Sequence, residues 1–221
     1  LVHNGNITNS EYVSEFLHSK NEYPKGSSDS ELLLHLFYFY IDKDIQNISH
    51  GSIVQAVQKI YSMCTGSFSV IIMIHDYGMV CFRDKYGIRP LVYHENGESL
   101  TIASETVSLP TNKGYQNVHN GEIVIFTKDM QKYNERVFFS PLKPCLFEYI
   151  YFASAESYVN DILVYEFRER VGEEILKIMD KEVADTIDVV VPVPMTSIVS
   201  ATSLSSHLGK PLQHAIVKNR Y

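Results

Sequence analysis

The stretch that decides the fold is residues 67–83, which read SFSVIIMIHDYGMVCFR. Residues 67–75 form a dense apolar and β-branched run, and residues 79–83 form a second one. The tripeptide between them, Asp-Tyr-Gly at 76–78, is typical of a tight turn. Two strand-like runs joined by such a short turn predict an antiparallel pair.

The pattern on either side of this pair predicts the rest of a layered domain. Strand-like runs continue at residues 90–94, 100–103 and 122–126, with an Asn-Gly turn at 96–97. Upstream, apolar residues recur at helical spacing in three segments, at 10–19, 32–41 and 52–64. Helices followed by an antiparallel sheet predict an α+β sandwich.

The pattern of predicted secondary structure changes near residue 140. Pro141 and Pro144 indicate a linker, and residues 164–179 have the spacing of a long helix. An almost continuous apolar run at 187–194 predicts a buried parallel strand. A helix at 196–208, ended by Gly209, and a strand at 216–217 complete a βαβ unit. We therefore predict α+β followed by α/β, with domains at 1–140 and 141–221.

Composition excludes several classes of protein. The 221 residues carry a net charge of −7 and no basic run, which argues against nucleic acid or an anionic membrane as main partner. No apolar run reaches the roughly 18–20 residues of a membrane span. Three widely spaced cysteines (Cys64, Cys81 and Cys145) fit reduced thiols in the cytoplasm better than a disulfide framework.

Two short polar motifs near the start could carry chemistry. Asn4-Gly5 reads as a tight turn, which can aim a backbone N–H and a side-chain amide at one point, as an oxyanion hole requires. Alone, Asn-Gly is more often an ordinary turn. Asp29 lies in Ser28-Asp29-Ser30-Glu31, which has capping-box spacing. It is either a helix cap or an acceptor for a substrate ammonium group.

A third motif favours a structural interpretation. In residues 82–91, FRDKYGIRPL, two arginines and an aspartate crowd a Gly-Pro turn. The favoured hypothesis is an ion pair that closes a hairpin. The segment Ala-Ser-Glu-Thr at 103–106 follows a strand and is likewise interpreted as structural.

Taken together and in order, these motifs resemble those of the class II glutamine amidotransferases, which have an N-terminal-nucleophile αββα fold. The matching segments are 3–6 (HNGN), 28–31 (SDSE), 66–68 (GSF), 83–91 (RDKYGIRPL) and 103–105 (ASE). Two further segments, CLFEYIYFA at 145–153 and KNRY at 218–221, are similar to amidophosphoribosyltransferases in particular. The resemblance covers essentially the whole chain. It implies a glutamine amidotransferase domain at residues 1–140, and a linker with the first part of a type I phosphoribosyltransferase domain at 141–221.

The resemblance implies a glutaminase mechanism. In the family, an N-terminal cysteine attacks the glutamine side-chain amide, and its own α-amino group serves as the base. Asn4 and Gly5 match the oxyanion-hole pair. Asp29 matches the carboxylate that holds the glutamine α-amino group.

The resemblance also implies a second site, where ammonia displaces pyrophosphate from phosphoribosyl pyrophosphate (PRPP) bound with Mg²⁺. Thr196 matches a residue near the metal and PRPP, and Lys218 and Tyr221 match residues that approach PRPP or the closing active-site loop. On their own, Thr196 would be a helix cap and Lys218 a solvated surface lysine. Purine nucleotides as feedback ligands and a homo-oligomer are expected for the full-length protein.

The chain is expected to be an internal fragment that is inactive alone. The family's nucleophilic cysteine and glutamine-binding arginine would lie upstream of Leu1, and its acidic PRPP loop beyond Tyr221. Loss of the first strands would leave an unpaired sheet edge and lower solubility. Cys145 falls where some relatives place an iron–sulfur ligand and others a cysteine without a cluster; we interpret it as a buried thiol.

The chain departs from the family pattern at three positions, and the first two of these departures motivate an alternative. Ser154 replaces an arginine, Met195 replaces an acid, and Asn120 replaces a proline. The alternative is a non-catalytic glutamine- or nucleotide-binding relative on the same scaffold. A third hypothesis, an amidotransferase that shares only the glutaminase half, is disfavoured by the βαβ unit and its KNRY ending.

Overall fold

The computed structural model describes residues 1–41 and 48–219, which divide into two compact units. The first unit comprises residues 1–104 and 108–144. The second comprises residues 105–107 and the chain from Cys145 onward. The assignment of separate functions to residues 1–140 and 141–221 stays a prediction.

Three helices form one layer of the first unit, as the apolar spacing predicts. They are α1 (Ser10–Ser19), α2 (Asp29–Tyr40) and α3 (His50–Met63). The Ser49 side chain caps α3 by accepting from the backbone N–H of Ser52 (3.2 Å), and the Ser52 side chain accepts in return from the Ser49 N–H (2.9 Å). This reciprocal pair satisfies two N–H groups at the helix start.

A five-stranded antiparallel sheet forms the central layer. Its strands, in spatial order, are β1 (Val2–Ile7), β2 (Gly66–Ile74), β3 (Gly78–Arg83), β7 (Glu122–Thr127) and β8 (Lys132–Arg136). The β2–β3 hairpin confirms the prediction from residues 67–83. Strand β8 escapes prediction because its sequence, KYNER, has no apolar alternation at the edge of the sheet.

Strand β1 corrects the interpretation of residues 3–6 as a turn. These residues pair in register with β2, with Asn4 opposite Ser69 and Gly5 opposite Phe68. Gly5 has φ +148°, and a Cβ there would lie 2.0 Å from the Ser67 carbonyl oxygen. The glycine therefore serves a close approach between strands rather than a turn.

A second, three-stranded sheet covers the other face of the central sheet. It consists of β4 (Val92–Glu95), β5 (Leu100–Ala103) and β6 (Gln116–Asn117), in the order β5-β4-β6. Along β7, Ile123 and Ile125 belong to the core under the helices, whereas Val124 and Phe126 belong to the core with Leu91 and Tyr93. This alternation buries both faces, so the first unit has the predicted layered sandwich, here as helix, sheet and sheet.

The second unit is mainly helical. A π-helix (Glu148–Phe152) precedes a small hairpin of β9 (Tyr158–Val159) and β10 (Ile162–Leu163). Three helices follow: α4 (Val164–Ile178), α5 (Lys181–Thr186) and α6 (Ile198–Leu208). At Gly172 of α4, an added Cβ would lie 2.4 Å from the Ser200 carbonyl oxygen, so a glycine permits the close packing of α4 on α6.

The parallel strands predicted at 187–194 and 216–217 are absent from the described residues. The structure has instead a single parallel bridge, between Val190 and Leu212, with α6 between the two. Pro192 and Pro194 have no N–H to donate, so the ladder cannot extend through that run. Among residues 1–41 and 48–219, no helix is both long and apolar enough to cross a bilayer.

Residues 105–107 are tied to the second unit by hydrogen bonds. The Glu105 carboxylate accepts from the backbone N–H of Ser154 and from the Ser157 hydroxyl, both at 2.8 Å. The Thr106 hydroxyl accepts from the Tyr158 N–H, also at 2.8 Å. The segment after β5 is therefore structural, as interpreted from sequence, although it belongs to the second unit.

Candidate active site

The outer edge of β1 presents two backbone N–H groups on one side. The Thr8 N–H donates toward β2, to Thr65 O at 2.9 Å, whereas the Ile7 N–H donates away from it, to Asp29 Oδ2 at 2.7 Å. N–H directions alternate along an antiparallel strand. The N–H of Gly5, two residues before Ile7, therefore points to the same outer edge as that of Ile7.

The partner of Gly5 supports this direction. Phe68 donates its N–H to Asp84 Oδ2 (3.2 Å) and accepts from the Asp84 N–H (2.7 Å), so both of its backbone groups face β3. Gly5 and Phe68 therefore form the pair type that exchanges no hydrogen bonds across β1 and β2. Gly5 is itself exposed, which leaves the edge accessible.

Asp29 lies at this edge rather than capping α2. The cap is Ser28, whose hydroxyl accepts from the Glu31 N–H at 3.3 Å. The Glu31 carboxylate accepts from the N–H groups of Lys25 (2.6 Å) and Gly26 (2.8 Å), so the predicted capping box is only half formed. Asp29 uses one oxygen to bind β1, which places a carboxylate beside Ile7.

Two residues far along the chain hold the Asn4 side chain. Arg89 Nε donates to Asn4 Oδ1 at 3.0 Å, and Asn4 Nδ2 donates to Ser104 Oγ at 3.2 Å. Both partners lie in segments interpreted from sequence as structural only. In the sequence, Arg89 and Ser104 stand out only as members of the quoted motifs. They lie 85 and 100 residues from Asn4, so no local pattern connects them to it.

His3 is a further residue at the site; it belongs to the HNGN motif, but no role is predicted for it from sequence. Its Nε2 is buried without a hydrogen-bond partner, and a Cβ on Gly5 would lie 2.9 Å from that atom. Burial lowers the pKa of His3, outweighing the opposing effects of the Ser67 backbone and of the negative charge of Asp29. The ring beside Gly5 is therefore predominantly neutral near pH 7.

The turn after β3 fixes the position of Arg89. Asp84 accepts from the backbone N–H groups of Phe68, Tyr86 and Ile88, at 2.9 to 3.2 Å. The buried Arg83 guanidinium donates to the carbonyls of Arg89 (2.6 Å), Gly87 (2.8 Å) and Val118 (3.2 Å). The motif is structural, as predicted, but both charged groups act here by binding backbone groups. The predicted ion pair is not among these bonds.

The cysteines of the first unit are unsuited to nucleophilic attack. Burial raises the pKa of Cys64 to about 12, and burial raises the pKa of Cys81 well above its usual range. Both thiols are therefore protonated at neutral pH. The interpretation of Cys145 as a buried thiol is wrong, because this residue is only partly buried. The local core is formed by Tyr149 and its neighbours, without Cys145.

The residues predicted for a second site lie in the second unit. Thr196 occupies the turn before α6, whose N-cap is Ser197, so Thr196 is not the cap. Lys218 is exposed in a segment without regular structure, and Tyr221 lies outside the described residues. Among residues 1–41 and 48–219, no cluster of three His, Cys, Asp or Glu side chains could hold a metal ion.

Comparison with known proteins places this chain in a family. Residues 1–111, slightly more than half of the chain, match the model of the glutamine amidotransferase domain. The chain therefore belongs to the glutamine amidotransferase family. Among curated relatives, the amidophosphoribosyltransferases of Haemophilus influenzae and Escherichia coli are 40% and 36% identical over the whole chain.

A solved structure shows the same fold. Glutamine PRPP amidotransferase from B. subtilis, complexed with ADP and GMP, superimposes with a TM-score of 0.81 at 28% sequence identity. The match covers 100% of this chain and 46% of that one. The chain likewise spans 46% of the length of the two curated relatives. The predicted fold class is confirmed by this likeness.

Proposed function

We propose that the first unit binds glutamine along the outer edge of β1 and stabilises the intermediate formed when its side-chain amide is cleaved. The observation that carries this proposal is the alignment of the Gly5 N–H with Asp29 on one edge. Alternate N–H groups of a strand lie about 6.6–6.8 Å apart. Three carbon atoms join the amide carbon of glutamine to its α-amino nitrogen, so one molecule reaches both groups.

Each polar group has a defined part in this scheme. The Asp29 carboxylate accepts from the α-ammonium group of glutamine. When a nucleophile adds to the amide carbon, the carbonyl oxygen gains negative charge and accepts from the Gly5 N–H and from Asn4 Nδ2. Donors that are already oriented toward developing charge lower the barrier, because little reorganisation is needed.

The nucleophile is expected to be the N-terminal cysteine that the family resemblance implies. Its thiolate would add to the amide carbon, the C–N bond would break with release of ammonia, and water would hydrolyse the thioester to glutamate. Cys64 and Cys81 do not fit this role, because burial keeps both thiols protonated. The sequence upstream of Leu1 in the parent gene provides a direct check.

For the whole protein we propose amidophosphoribosyltransferase activity in purine biosynthesis, which converts glutamine, PRPP and water into 5-phosphoribosylamine, glutamate and pyrophosphate. Support comes from the names of relatives aligned over the entire chain. Thr196 and Lys218, with Tyr221, are the proposed contacts to PRPP. The B. subtilis relative was solved with ADP and GMP, which supports purine nucleotides as feedback ligands.

Magnesium is proposed to accompany PRPP, but the described residues do not form its site. Mg²⁺ requires several oxygen ligands, usually carboxylates and phosphates. Thr196 offers one hydroxyl, and Met195 stands where the family has an acid. The three free cysteines fit a cytoplasmic enzyme, and a homo-oligomer is proposed for the full-length protein.

The test uses the full-length protein encoded by the parent gene. We expect glutamate release from glutamine, and glutamine-dependent pyrophosphate release from PRPP. Asn4→Ala should lower kcat for glutamate release by about 100-fold, the usual effect of losing one oxyanion donor. Asp29→Asn should chiefly raise KM. Glutamine binding without any glutamate release would refute the proposal, as would Asn4→Ala with unchanged kcat.

A further inference from the structure

We infer that Arg89 is a positioning residue, which orients the Asn4 amide so that its NH₂ end, and not its oxygen, faces the developing negative charge. This inference rests on the proposed function, in which Asn4 Nδ2 is an oxyanion donor. It assigns a purpose to a contact between residues 85 positions apart.

The chemistry of arginine fixes the orientation. A guanidinium group carries only donors, so the atom of Asn4 that faces Arg89 Nε at 3.0 Å must be the carbonyl oxygen. The NH₂ group then lies on the opposite side, where one hydrogen meets Ser104 Oγ at 3.2 Å. Since an amide NH₂ has two hydrogens, the second can point at a substrate.

Ser104 alone could not impose this orientation. A hydroxyl both donates and accepts, so it would pair equally well with the oxygen of a rotated Asn4 amide. A rotated amide would turn its carbonyl oxygen toward the oxyanion, which would repel the intermediate instead of stabilising it. Arg89 removes this ambiguity, and its positive charge also strengthens Asn4 as a donor.

The backbone of Arg89 is itself held by hydrogen bonds. Its backbone carbonyl accepts from Arg83 Nε at 2.6 Å and from the Ser69 hydroxyl at 3.0 Å. Ser69 lies opposite Asn4 in the β1–β2 pair, so one residue of β2 links the strand that carries Asn4 to the turn that carries Arg89. Such support is what a donor needs if it is to be in place before charge develops.

The first experiment measures steady-state glutamate release by full-length Arg89→Met and Arg89→Lys. Arg89→Met should lower kcat by about 10- to 100-fold, approaching the loss of the donor itself, with KM for glutamine within about twofold. Arg89→Lys should recover part of that loss, because an ammonium group also only donates. A simple packing defect would not be rescued in this way.

A matched control comes from a similar contact elsewhere in the first unit. Arg136 donates to Asn120 Oδ1 at 2.8 Å, so Arg136→Met removes an arginine–asparagine hydrogen bond that does not involve β1. Its kcat should stay within about twofold of the parent. Thermal unfolding followed by circular dichroism identifies any variant that has lost its fold.

The double variant Asn4→Ala/Arg89→Met decides whether Arg89 acts through Asn4. If it does, Arg89→Met has no further effect on kcat in the Asn4→Ala background. Equal loss in both backgrounds would overturn the inference, as would full kcat in Arg89→Met. If Arg89→Met does not fold, Arg89→Lys in the two backgrounds gives the same comparison. Unchanged kcat in Asn4→Ala alone would instead refute the proposed function.

Discussion

At the scale of single residues, Gly5 combines a structural and a chemical requirement. Its φ is +148°, and an added Cβ would lie only 2.0 Å from the Ser67 carbonyl oxygen, so no side chain fits. The same backbone turns the Gly5 N–H toward the edge where Asp29 lies. A substitution at this position therefore separates two strands as well as disturbing the candidate site.

We predict that Gly5→Ala lowers the free energy of unfolding by about 2–4 kcal/mol, since its methyl group meets backbone that must shift. Urea denaturation of the chain measures this change. Gly97→Ala is the matched control, because Gly97 also has a positive φ (+85°) but a Cβ added there would have no atom within 4 Å. Equal losses in the two variants would show that the contact with β2 is unimportant.

His3 provides a prediction about pH. Because burial lowers its pKa below 6.5, the folded chain binds fewer protons there than the unfolded chain. Its contribution to stability is therefore complete above pH 6.5 and declines as pH falls from 6.5 toward the folded-state pKa. NMR titration of the His3 ring, assigned with His3→Gln, should give a pKa under 6.5. A higher value would contradict the burial of Nε2.

The candidate site is only partly accessible to prediction from sequence. Asn4, Gly5 and Asp29 can be selected from sequence because they lie in short motifs, and the structure brings them together at the outer edge of β1. Arg89 and Ser104 cannot be connected to Asn4 from sequence, because their contacts depend on how β1, β2 and the turn after β3 assemble. The roles of all these residues stay predictions until kinetics test them.

At the scale of secondary-structure elements, the turn after β3 depends on one buried carboxylate. Asp84 is 1% exposed and accepts from the N–H groups of three residues, Phe68, Tyr86 and Ile88. It thereby joins β2 to the turn that presents Arg89.

We expect Asp84→Asn to destabilise the chain by about 2–3 kcal/mol, because an amide NH₂ would face backbone N–H groups that now bind a carboxylate. Thermal unfolding is the measurement. Asp76→Asn serves as control, since Asp76 lies exposed in the β2–β3 turn, and a surface change there should cost under about 0.5 kcal/mol. A comparable loss in both variants would refute the proposed role of Asp84.

Elements with strong periodicity are predictable here, and elements set by tertiary context are not. The helices α1, α3 and α4 and the strands β2, β3, β5 and β7 follow directly from apolar spacing. Strand β1 resembles a turn because its glycine serves a close approach between strands. The run at 187–194 resembles a strand because it is almost entirely apolar. It contains two prolines, however, and these cannot continue the hydrogen bonding of a β-ladder.

At the scale of the whole molecule, sequence order and compact units do not coincide. Residues 105–107 follow a strand of the first unit but belong by their contacts to the second. Glu105 supplies the link, with one carboxylate oxygen that accepts from both Ser154 and Ser157. No pattern of residues around position 105 signals this exchange.

Glu105→Ala should destabilise the second unit by about 1.5–3 kcal/mol, because it leaves the buried Ser157 hydroxyl and the Ser154 N–H without their acceptor. Hydrogen exchange read by mass spectrometry should rise in residues 148–164 and remain unchanged in β2 and β3. Glu98→Ala, in an exposed turn, should alter neither region. Faster exchange confined to the first unit would contradict this prediction.

The position of residues 105–107 also has a consequence for synthesis on the ribosome. The three bonds that fix Glu105 and Thr106 join residues 49 to 52 positions apart. At translation rates of about 5–20 residues per second, these two side chains emerge roughly 3–10 s before their partners. Throughout that interval the nascent first unit is complete up to β5 but carries a glutamate and a threonine whose hydrogen-bond partners have not yet been made.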